Sequence, residues 1–592
     1  MEFFKYIFGF DAGEPLLFTQ FYFWGFFALV FAGLTLVKDK ILMRNVFLFA
    51  VSLFFYYKTS GLFVALLAFS IFANWIFAIE ISKANETWKK VLMVLSVVVD
   101  LGILCYFKYA YFFTDITNSL FGTHYSIVEQ IILPVGISFF TFQTLSYVID
   151  VYRGRIEPVK NILNFGFYVS FFPQLVAGPI VRATDFVPQL YKPYSLTRKY
   201  FGIAVFWILN GLAKKIILSD YLAVNFIDRV FNSPLLFSGF ENLMALLVYS
   251  MQVYADFSGY TDIAIGVAML MGFYLPKNFN SPYKATNCSN FWKRWHISLS
   301  KWLQDYLYIP LGGNRNATFG TFFWITMFAM IGVLLSGSWI VAGIVFAIAG
   351  AIVLWGVFVP EKRQRIFTNL NLMLTMLFGG MWHGASFNFI IWGGLNGIGI
   401  VVYKIWKKWS VGTKLFCITL VTFIVMFIGK YAPQPIWNLL GVWTAIVGIG
   451  TVIKYLGAIF NLKADWLDTA WGVVQTFFFI SFTRLFFRAS SNLDPASANQ
   501  EAWETAKNMV GQIGGAWNSA IIPDVCLAYW KVFVVFAIGM VIHWLPEKFK
   551  RRYRYMFAVM PMWVLALVAT GVIFVIYQFV TADLQAFIYF QF

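Results

Sequence analysis

Charged residues and cysteines are scarce in this chain. Of its 592 residues, 12% are charged and 60% are hydrophobic, whereas about 25% of the residues of a typical soluble domain are charged. This composition excludes a soluble globular enzyme and a disordered protein. The four cysteines lie far apart and form no CxxC pair, so the sequence predicts neither a disulfide-stapled domain nor a zinc framework.

The signatures of several enzyme classes are also absent. The sequence has no G-x-S-x-G elbow, no P-loop and no H-E-x-x-H motif. Its histidines have no neighbouring cysteine or carboxylate ligands, so we expect no metal site. The N-terminus lacks a basic start and a small-residue cleavage site, which predicts that no signal peptide is removed.

Long apolar runs dominate what is present, and 21% of the residues are aromatic. At about 20 apolar residues per crossing, these runs suit a dozen or more membrane helices. Their continuity disfavours a β-barrel. The sequence therefore predicts an all-α polytopic integral membrane protein. Proline and glycine inside 131–149 and 161–181 predict broken or re-entrant helices beside a pathway, although both residues are also common in ordinary membrane helices.

The net charge of +17 is explained by basic residues in cytoplasmic loops, and we expect no nucleic-acid partner. The basic segments 361–365, 404–414 and 547–554 are predicted to face the cytoplasm. The polar segment 488–524 and the C-terminus are then predicted to lie outside. A basic cytoplasmic mouth would also attract a phosphorylated or acidic donor.

Two of the four histidines stand in unusual surroundings. His296 lies in the basic, aromatic segment 288–314, which predicts a cytoplasmic interfacial helix ended by Gly-Gly-Asn at 312–314. His383 lies between two apolar half-spans, among glycines at 379, 380 and 384 that are expected to break the helix. Imidazole can accept a hydroxyl proton at neutral pH, so both are candidate bases. The alternative is a structural histidine that satisfies a helix break. His124, in a polar loop, and His543, near a helix end, are expected to be structural.

Polar residues also gather at 251–264, MQVYADFSGYTDIA, where two apolar runs join. Their side chains either line a tunnel or satisfy the backbone of a turn. The sequence leaves these alternatives open.

Five segments carry a resemblance to a known family. They are FFPQLVAGPIVR at 171–182, VYADFSGYTDIAIG at 253–266, the run from Asn278 to Arg315 around His296, MWHGASFNFIIWGGLNG at 381–397 and SFTRLFFRA at 481–489. The chain resembles the membrane-bound O-acyltransferase superfamily. It is most similar to the bacterial branch that serves alginate O-acetylation, peptidoglycan O-acetylation and D-alanyl transfer to teichoic acid.

The resemblance implies a fold of membrane and re-entrant helices around a central tunnel. It implies His383 as the central catalytic histidine and His296 as the second, on the cytoplasmic side. An acyl thioester, expected to be acetyl-CoA, would act as donor substrate, with no bound cofactor. Nine further residues are expected to contact substrate or line the tunnel: Trp382, Trp295, Arg294, Lys293, Asp256, Ser258, Tyr260, Asn388 and Gln174.

The domain organisation follows from these segments. We expect N-terminal membrane helices at 1–130, a catalytic core at 131–490, an outer loop at 491–525 and C-terminal helices with an aromatic tail at 526–592. The two histidine motifs lie further apart than is usual in the family. The sequence predicts that two extra apolar helices, inserted at about 318–366, separate them.

The C-terminal residues FIYFQF resemble a Tyr-x-x-Phe tail of this acyl-transfer branch. By this resemblance, Tyr589 would accept the acyl group and pass it to a separate periplasmic or extracellular SGNH-type esterase or transferase, which would modify a polysaccharide. The alternative is an interfacial aromatic anchor. The predicted location is the bacterial cytoplasmic membrane. D-alanyl transfer from an acyl-carrier protein, a glycolipid transporter and a membrane scaffold remain rival functions.

Overall fold

The structure, a computed structural model, is helical throughout the part of the chain that it describes. It describes residues 9–11, 15–127, 131–336, 339–460, 465–491, 493, 497–580 and 587. Eight helices in these ranges are long and apolar enough to cross a membrane, or nine if a bent pair counts as one span. The prediction of an all-α polytopic membrane protein is confirmed.

The helices up to the first histidine are α1 (Phe21–Val37), α2 (Ile41–Ser60), α3 (Val64–Lys83), α4 (Glu86–Phe121), α5 (Ile137–Tyr152), α6 (Ile162–Ser170), α7 (Phe172–Leu175), α8 (Ala183–Leu190), α9 (Arg198–Ala213), α10 (Asp228–Asn232), α11 (Gly239–Leu270) and α12 (Cys288–Trp292). Two π-helical stretches, Lys214–Asp220 and Ala223–Ile227, continue α9. Short 3-10 turns lie at Gly61–Phe63, Pro234–Leu236 and Pro282–Lys284.

The remaining helices are α13 (Ile297–Leu303), α14 (Phe319–Ser336), α15 (Trp339–Phe358), α16 (Pro360–His383), α17 (Phe387–Trp406), α18 (Val411–Tyr431), α19 (Pro435–Ile459), α20 (Asp465–Ala489), α21 (Ala498–Gly514), α22 (Ile522–Ala528), α23 (Trp530–Trp544), α24 (Glu547–Val559) and α25 (Met562–Tyr577). A π-helical stretch, Gln304–Tyr308, extends α13, and a 3-10 turn lies at Ser519–Ile521.

The described spans are fewer than the predicted dozen because several apolar runs fold as short, buried helices. The run 161–181 becomes α6 and α7, which are 9 and 4 residues long. The run 131–149 starts its helix only after Gly136, whose φ of +74° is left-handed. A Cβ on Gly136 would lie 2.6 Å from the carbonyl oxygen of Leu175. The predicted breaks are therefore present, and they let these segments pack closely inside the protein.

The prediction of a join between two apolar runs at 251–264 is wrong. The sequence predicted a join at 251–264, but α11 runs unbroken from Gly239 to Leu270 and is buried along most of its length. Its carboxylates therefore do not satisfy the backbone of a turn; they pair instead with lysines of the π-helical stretch after α9. Lys215 lies 2.7 Å from Asp256, and Lys214 lies 2.7 Å from Asp262.

The structure also corrects the prediction of a polar loop at 488–524, because much of this segment is helical. Within 488–524 the chain forms α21 and part of α22. One face of α21 is buried and packs against α11, α19 and α20. That face carries Ala502, Ala506, Met509 and Ile513, a spacing of three to four residues that fits one side of a helix. Two helices, α14 and α15, lie in the region near 318–366 where the sequence predicted two extra apolar helices.

Glycines let neighbouring helices approach closely on both sides of the candidate site. A Cβ on Gly211 of α9 would lie 2.5 Å from the carbonyl oxygen of Gly259 on α11. A Cβ on Gly380 of α16 would lie 2.2 Å from the carbonyl oxygen of Phe389 on α17. Such contacts between small residues are the usual means of tight helix packing in membranes.

We expect Gly380→Ala to destabilise the protein by about 1–3 kcal/mol, because the added methyl group must push α16 and α17 apart. Thermal unfolding of the purified protein in detergent measures this as a lowered midpoint. Gly332→Ala on α14 is the matched control, since nothing lies within 4 Å of a Cβ there. Equal midpoints for the two variants would contradict the prediction.

Candidate active site

His383 lies at the end of helix α16. The helix stops there because Gly384 is extended, and the chain turns sharply into α17. Only glycine fits this turn, since a Cβ on Gly384 would lie 2.1 Å from the ring of Phe389. The predicted break is confirmed at Gly384, whereas Gly379 and Gly380 lie inside α16. His383 is 3% exposed.

His296 occupies a second break, between α12 and α13. Its φ of +43° is left-handed, a conformation shared by only one other non-glycine residue, Ser281, in the described ranges. His296 is completely buried. The expectation of one interfacial helix across 288–314 is therefore wrong, because the chain breaks at His296 and turns inward. The predicted stop at 312–314 is present, as Gly312 and Gly313 are both left-handed.

Asn278 holds the break at His296. Its backbone carbonyl accepts a hydrogen bond from Ile297 N at 3.0 Å. Its side-chain Oδ1 accepts from the backbone N–H and the hydroxyl of Ser298, at 3.0 and 2.9 Å. Oδ1 also lies 3.3 Å from Nδ1 of His296. Because the Ser298 N–H identifies this atom as an acceptor, His296 donates from Nδ1, and Nε2 is the ring nitrogen with the lone pair in the neutral form.

The ring of Trp382 lies between the two histidines and contacts both. Its centroid lies 5.9 Å from that of His296 and 4.9 Å from that of His383. Phe139 contacts the ring of Trp382 at 5.4 Å. On its other side, His383 faces Trp392 at 5.0 Å and Phe487 at 5.1 Å. Two residues 87 positions apart in the sequence (383 − 296) therefore meet in one buried, aromatic-walled site.

Asp256 and Tyr260 belong to a second buried group. The Lys215 ammonium lies 2.7 Å from Asp256 and 2.8 Å from Asp220. It also lies 4.6 Å above the ring of Phe587. Phe587 is 1% exposed and meets the ring of Tyr260 edge-on at 4.8 Å. The C-terminal segment thus reaches the protein interior at Phe587.

Helix α11 borders both groups. Phe257 contacts the ring of His296 at 4.7 Å, while Asp256 and Tyr260, one helical turn apart, contact the group around Lys215. The structure therefore brings the 251–264 segment beside the histidines, although not as the predicted turn. Ser258 on the same helix is buried, and its hydroxyl has no hydrogen-bond partner among the described residues.

The other predicted residues have different surroundings. Trp295 is buried, with the guanidinium of Arg484 4.3 Å above its ring. Gln174 donates to the carbonyl of Tyr168 at 2.9 Å.

The two predicted basic residues lie outside the buried aromatic site. Lys293 is exposed. Arg294 donates to the side chain of Asn290 and to the carbonyl of Asn280. Asn388 is 1% exposed. Tyr589 lies outside the described residues.

Three polar residues at the site were missed by the sequence analysis. Lys108 donates to the carbonyl of Trp382 at 2.7 Å, Asn278 holds His296, and Lys215 holds Asp256. A lysine inside a long apolar helix is itself a functional signal, so Lys108 could have been found. Asn278 carries no comparable signal, because its role depends on a backbone turn. In the described part of the chain, no three His, Cys, Asp or Glu side chains are grouped as metal ligands.

An all-helical membrane fold with two buried histidines beside a tryptophan suits a membrane-embedded transferase. The model of the membrane-bound O-acyltransferase family matches residues 84–331. This range includes His296 and stops before His383. The chain belongs to that family, which confirms the predicted resemblance.

Several curated proteins are similar to this chain. The probable alginate O-acetylase AlgI of Pseudomonas aeruginosa is 36% identical over 386 residues, 63% of this chain and 63% of that protein. The peptidoglycan O-acetyltransferase of Helicobacter pylori is 33% identical over 64% of this chain and 67% of its own length. The teichoic acid D-alanyltransferase of Bacillus subtilis is 27% identical over 48% of this chain and 62% of its own length. The match to the Pseudomonas protein thus spans less than two thirds of that protein.

We expect Asn278→Ala to lower the free energy of unfolding by about 1–3 kcal/mol, because the half-buried N–H and hydroxyl of Ser298 lose their acceptor. Asn290→Ala is the matched control, since Asn290 is only half-buried and its side chain accepts from Arg294. Chemical unfolding in detergent compares the two. A loss for Asn278→Ala no larger than for the control would refute this role of Asn278.

Proposed function

We propose that this protein moves an acetyl group from a cytoplasmic thioester, acetyl-CoA, across the membrane for O-acetylation of an extracytoplasmic polysaccharide. The observation that carries the proposal is the meeting of His296 and His383 around one buried tryptophan ring. The two relatives at 33–36% identity are named as O-acetylases of alginate and of peptidoglycan. Either polymer, or a similar exopolysaccharide, is a candidate acceptor for this protein.

The chemistry needs a base beside the acceptor hydroxyl. The hydroxyl oxygen attacks the thioester carbonyl carbon, a C–O bond forms and the C–S bond breaks. We assign the hydroxyl proton to the imidazole of His383, which then delivers it to the leaving thiolate. General-base help of this kind contributes about 10²- to 10⁴-fold in rate. His296, with its lone pair on Nε2, is proposed as the second histidine, on the side of the donor.

A basic region suggests where the donor enters. In α24, Lys550 donates to the carbonyl of His543 at 2.8 Å. Burial and the positive charges of Lys284 and Lys214 lower the pKa of Lys550 to about 8. Crowded cations of this kind favour an anion, and the phosphates of a CoA or phosphopantetheine donor would supply it. The positive-inside rule supports a cytoplasmic position for this helix.

A line of aromatic rings leads from this region to the histidines. The Lys214 ammonium lies 5.5 Å from the ring centroid of Tyr254. Tyr254 contacts Phe279 at 5.8 Å, Phe279 contacts Phe257 at 5.0 Å, and Phe257 contacts His296 at 4.7 Å. We propose that the acyl-pantetheine arm of the donor follows this line.

We further propose that Tyr589 accepts the acetyl group and presents it to a separate extracytoplasmic SGNH-type transferase, with the C-terminus on the outer face of the bacterial cytoplasmic membrane. Phe587 supports this, because its ring is buried against Tyr260 and it stands two residues before Tyr589 in the sequence. A phenol ester is a suitable relay, since phenolate (pKa about 10) is a better leaving group than an alkoxide.

D-alanyl transfer from a carrier protein is the second candidate. The similarity to a teichoic acid D-alanyltransferase favours it, but at 27% identity it is weaker than the similarity to the acetylases. Both candidates use the same histidines, so a comparison of the two donors distinguishes them.

We expect His383→Gln to slow acetyl transfer by about 10²-fold or more, because the proposed base is removed. The assay uses purified protein in lipid with radiolabelled acetyl-CoA. His124→Gln is the control, since His124 is exposed. Consumption of donor by His383→Gln at the wild-type rate would overturn the assignment. A wild-type protein that consumes only D-alanyl carrier protein would favour the second candidate.

Peptide mass spectrometry of the same reactions tests the relay. We expect Tyr589 of the wild type to gain about 42 Da, the mass added when an acetyl group replaces a hydrogen. This gain should be absent from Tyr589→Phe and from His383→Gln. Tyr577→Phe, at the exposed end of α25, should keep the label. Donor consumption that depends on an added acceptor, without any labelled tyrosine, would point to direct transfer instead.

A further inference from the structure

Helix α4 reaches the last turn of α16 with two adjacent side chains. Lys108 donates from Nζ to the carbonyl oxygen of Trp382 at 2.7 Å. Tyr109 donates from its hydroxyl to the carbonyl oxygen of Met381 at 2.5 Å. These carbonyls belong to the two residues directly before His383. Two hydrogen bonds thereby join helix α4 to the helix turn that ends at His383.

This turn needs outside donors. The last four carbonyls of an α-helix have no partner within the helix, and inside a membrane protein no bulk water replaces that partner. Gly384 and the start of α17 at Phe387 carry the chain away at once. Lys108 and Tyr109 therefore satisfy groups that the break at His383 leaves without intrahelical partners.

Lys108 differs from Tyr109 in its charge. A cation at a helix C-terminus interacts favourably with the partial negative charge there. The Lys108 ammonium is further held by the hydroxyl of Ser138 at 3.3 Å and lies 5.8 Å from the ring centroid of Trp382. It thus contacts both the backbone and the side chain of the residue that separates the two histidines. A lysine in an apolar span is costly unless it has such a use.

We propose that Lys108 is a positioning residue for His383: its ammonium group fixes the carbonyl and the ring of Trp382, and thereby the direction of the imidazole that follows. The inference rests on the proposed function for its kinetic consequence, but not for its effect on the turn. Tyr109 provides an internal comparison, since its uncharged hydroxyl makes the same kind of contact to the carbonyl one residue earlier.

The test compares Lys108→Met, Lys108→Arg and Tyr109→Phe in lipid. We expect Lys108→Met to lower kcat for acetyl transfer by about 10²-fold with KM for acetyl-CoA changed less than about twofold, because a base displaced by about 1 Å loses rate rather than donor binding. Lys108→Arg, which keeps a cationic donor, should restore at least a tenth of the wild-type kcat. Tyr109→Phe should retain most of kcat.

A second measurement does not require activity. Hydrogen exchange of the peptide that spans 379–390 should be faster in Lys108→Met than in the wild type or in Lys108→Arg, at an unfolding midpoint close to that of Tyr109→Phe. Equal exchange and equal kcat in all three variants would overturn the inference, and so would equal losses in Lys108→Met and Tyr109→Phe. If the wild type transfers no acyl group but exchange still responds to Lys108→Met alone, the proposed function fails and the positioning of the turn by Lys108 stands.

Discussion

Every break in a helix inside a membrane protein leaves backbone groups that bulk water cannot satisfy, and the candidate site consists of such breaks. Helix α16 stops at His383, and its last carbonyls are taken by Lys108 and Tyr109. The chain between α12 and α13 breaks at His296, and Asn278 takes the freed groups. The same side chains that complete the hydrogen bonding hold the two imidazoles in place.

Burial gives the site its second property, a wall of aromatic rings. Phe139, Phe257, Trp392 and Phe487 surround the histidines, and Trp382 separates them. In such surroundings a neutral imidazole can act as a base without competition from bulk water. The charges of Asp256, Asp220 and Lys215 pair with one another on the side of α11 where Phe587 lies.

Phe587 links this charge group to helix α11. Its ring packs between the ring of Tyr260 and the ammonium of Lys215. Tyr260 lies one helical turn after Phe257, which contacts His296, so α11 is close both to this histidine and to Phe587. The glycines of α11 at 259 and 266 let α9 and its lysines approach closely.

The sequence by itself determined the membrane class and the family, and it predicted the two candidate histidines, since apolar length, charge scarcity and the motifs around His296 and His383 are local properties of the chain. It also placed the break at Gly384, where only glycine fits against Phe389. Tertiary structure decided the rest. The 251–264 segment is part of an unbroken helix, and Lys214 and Lys215 of another helical segment pair with its carboxylates. His296 turns inward because Asn278, 18 residues earlier, binds its turn. Lys108 acts on a carbonyl 274 residues away, a relation that only packing of α4 against α16 creates.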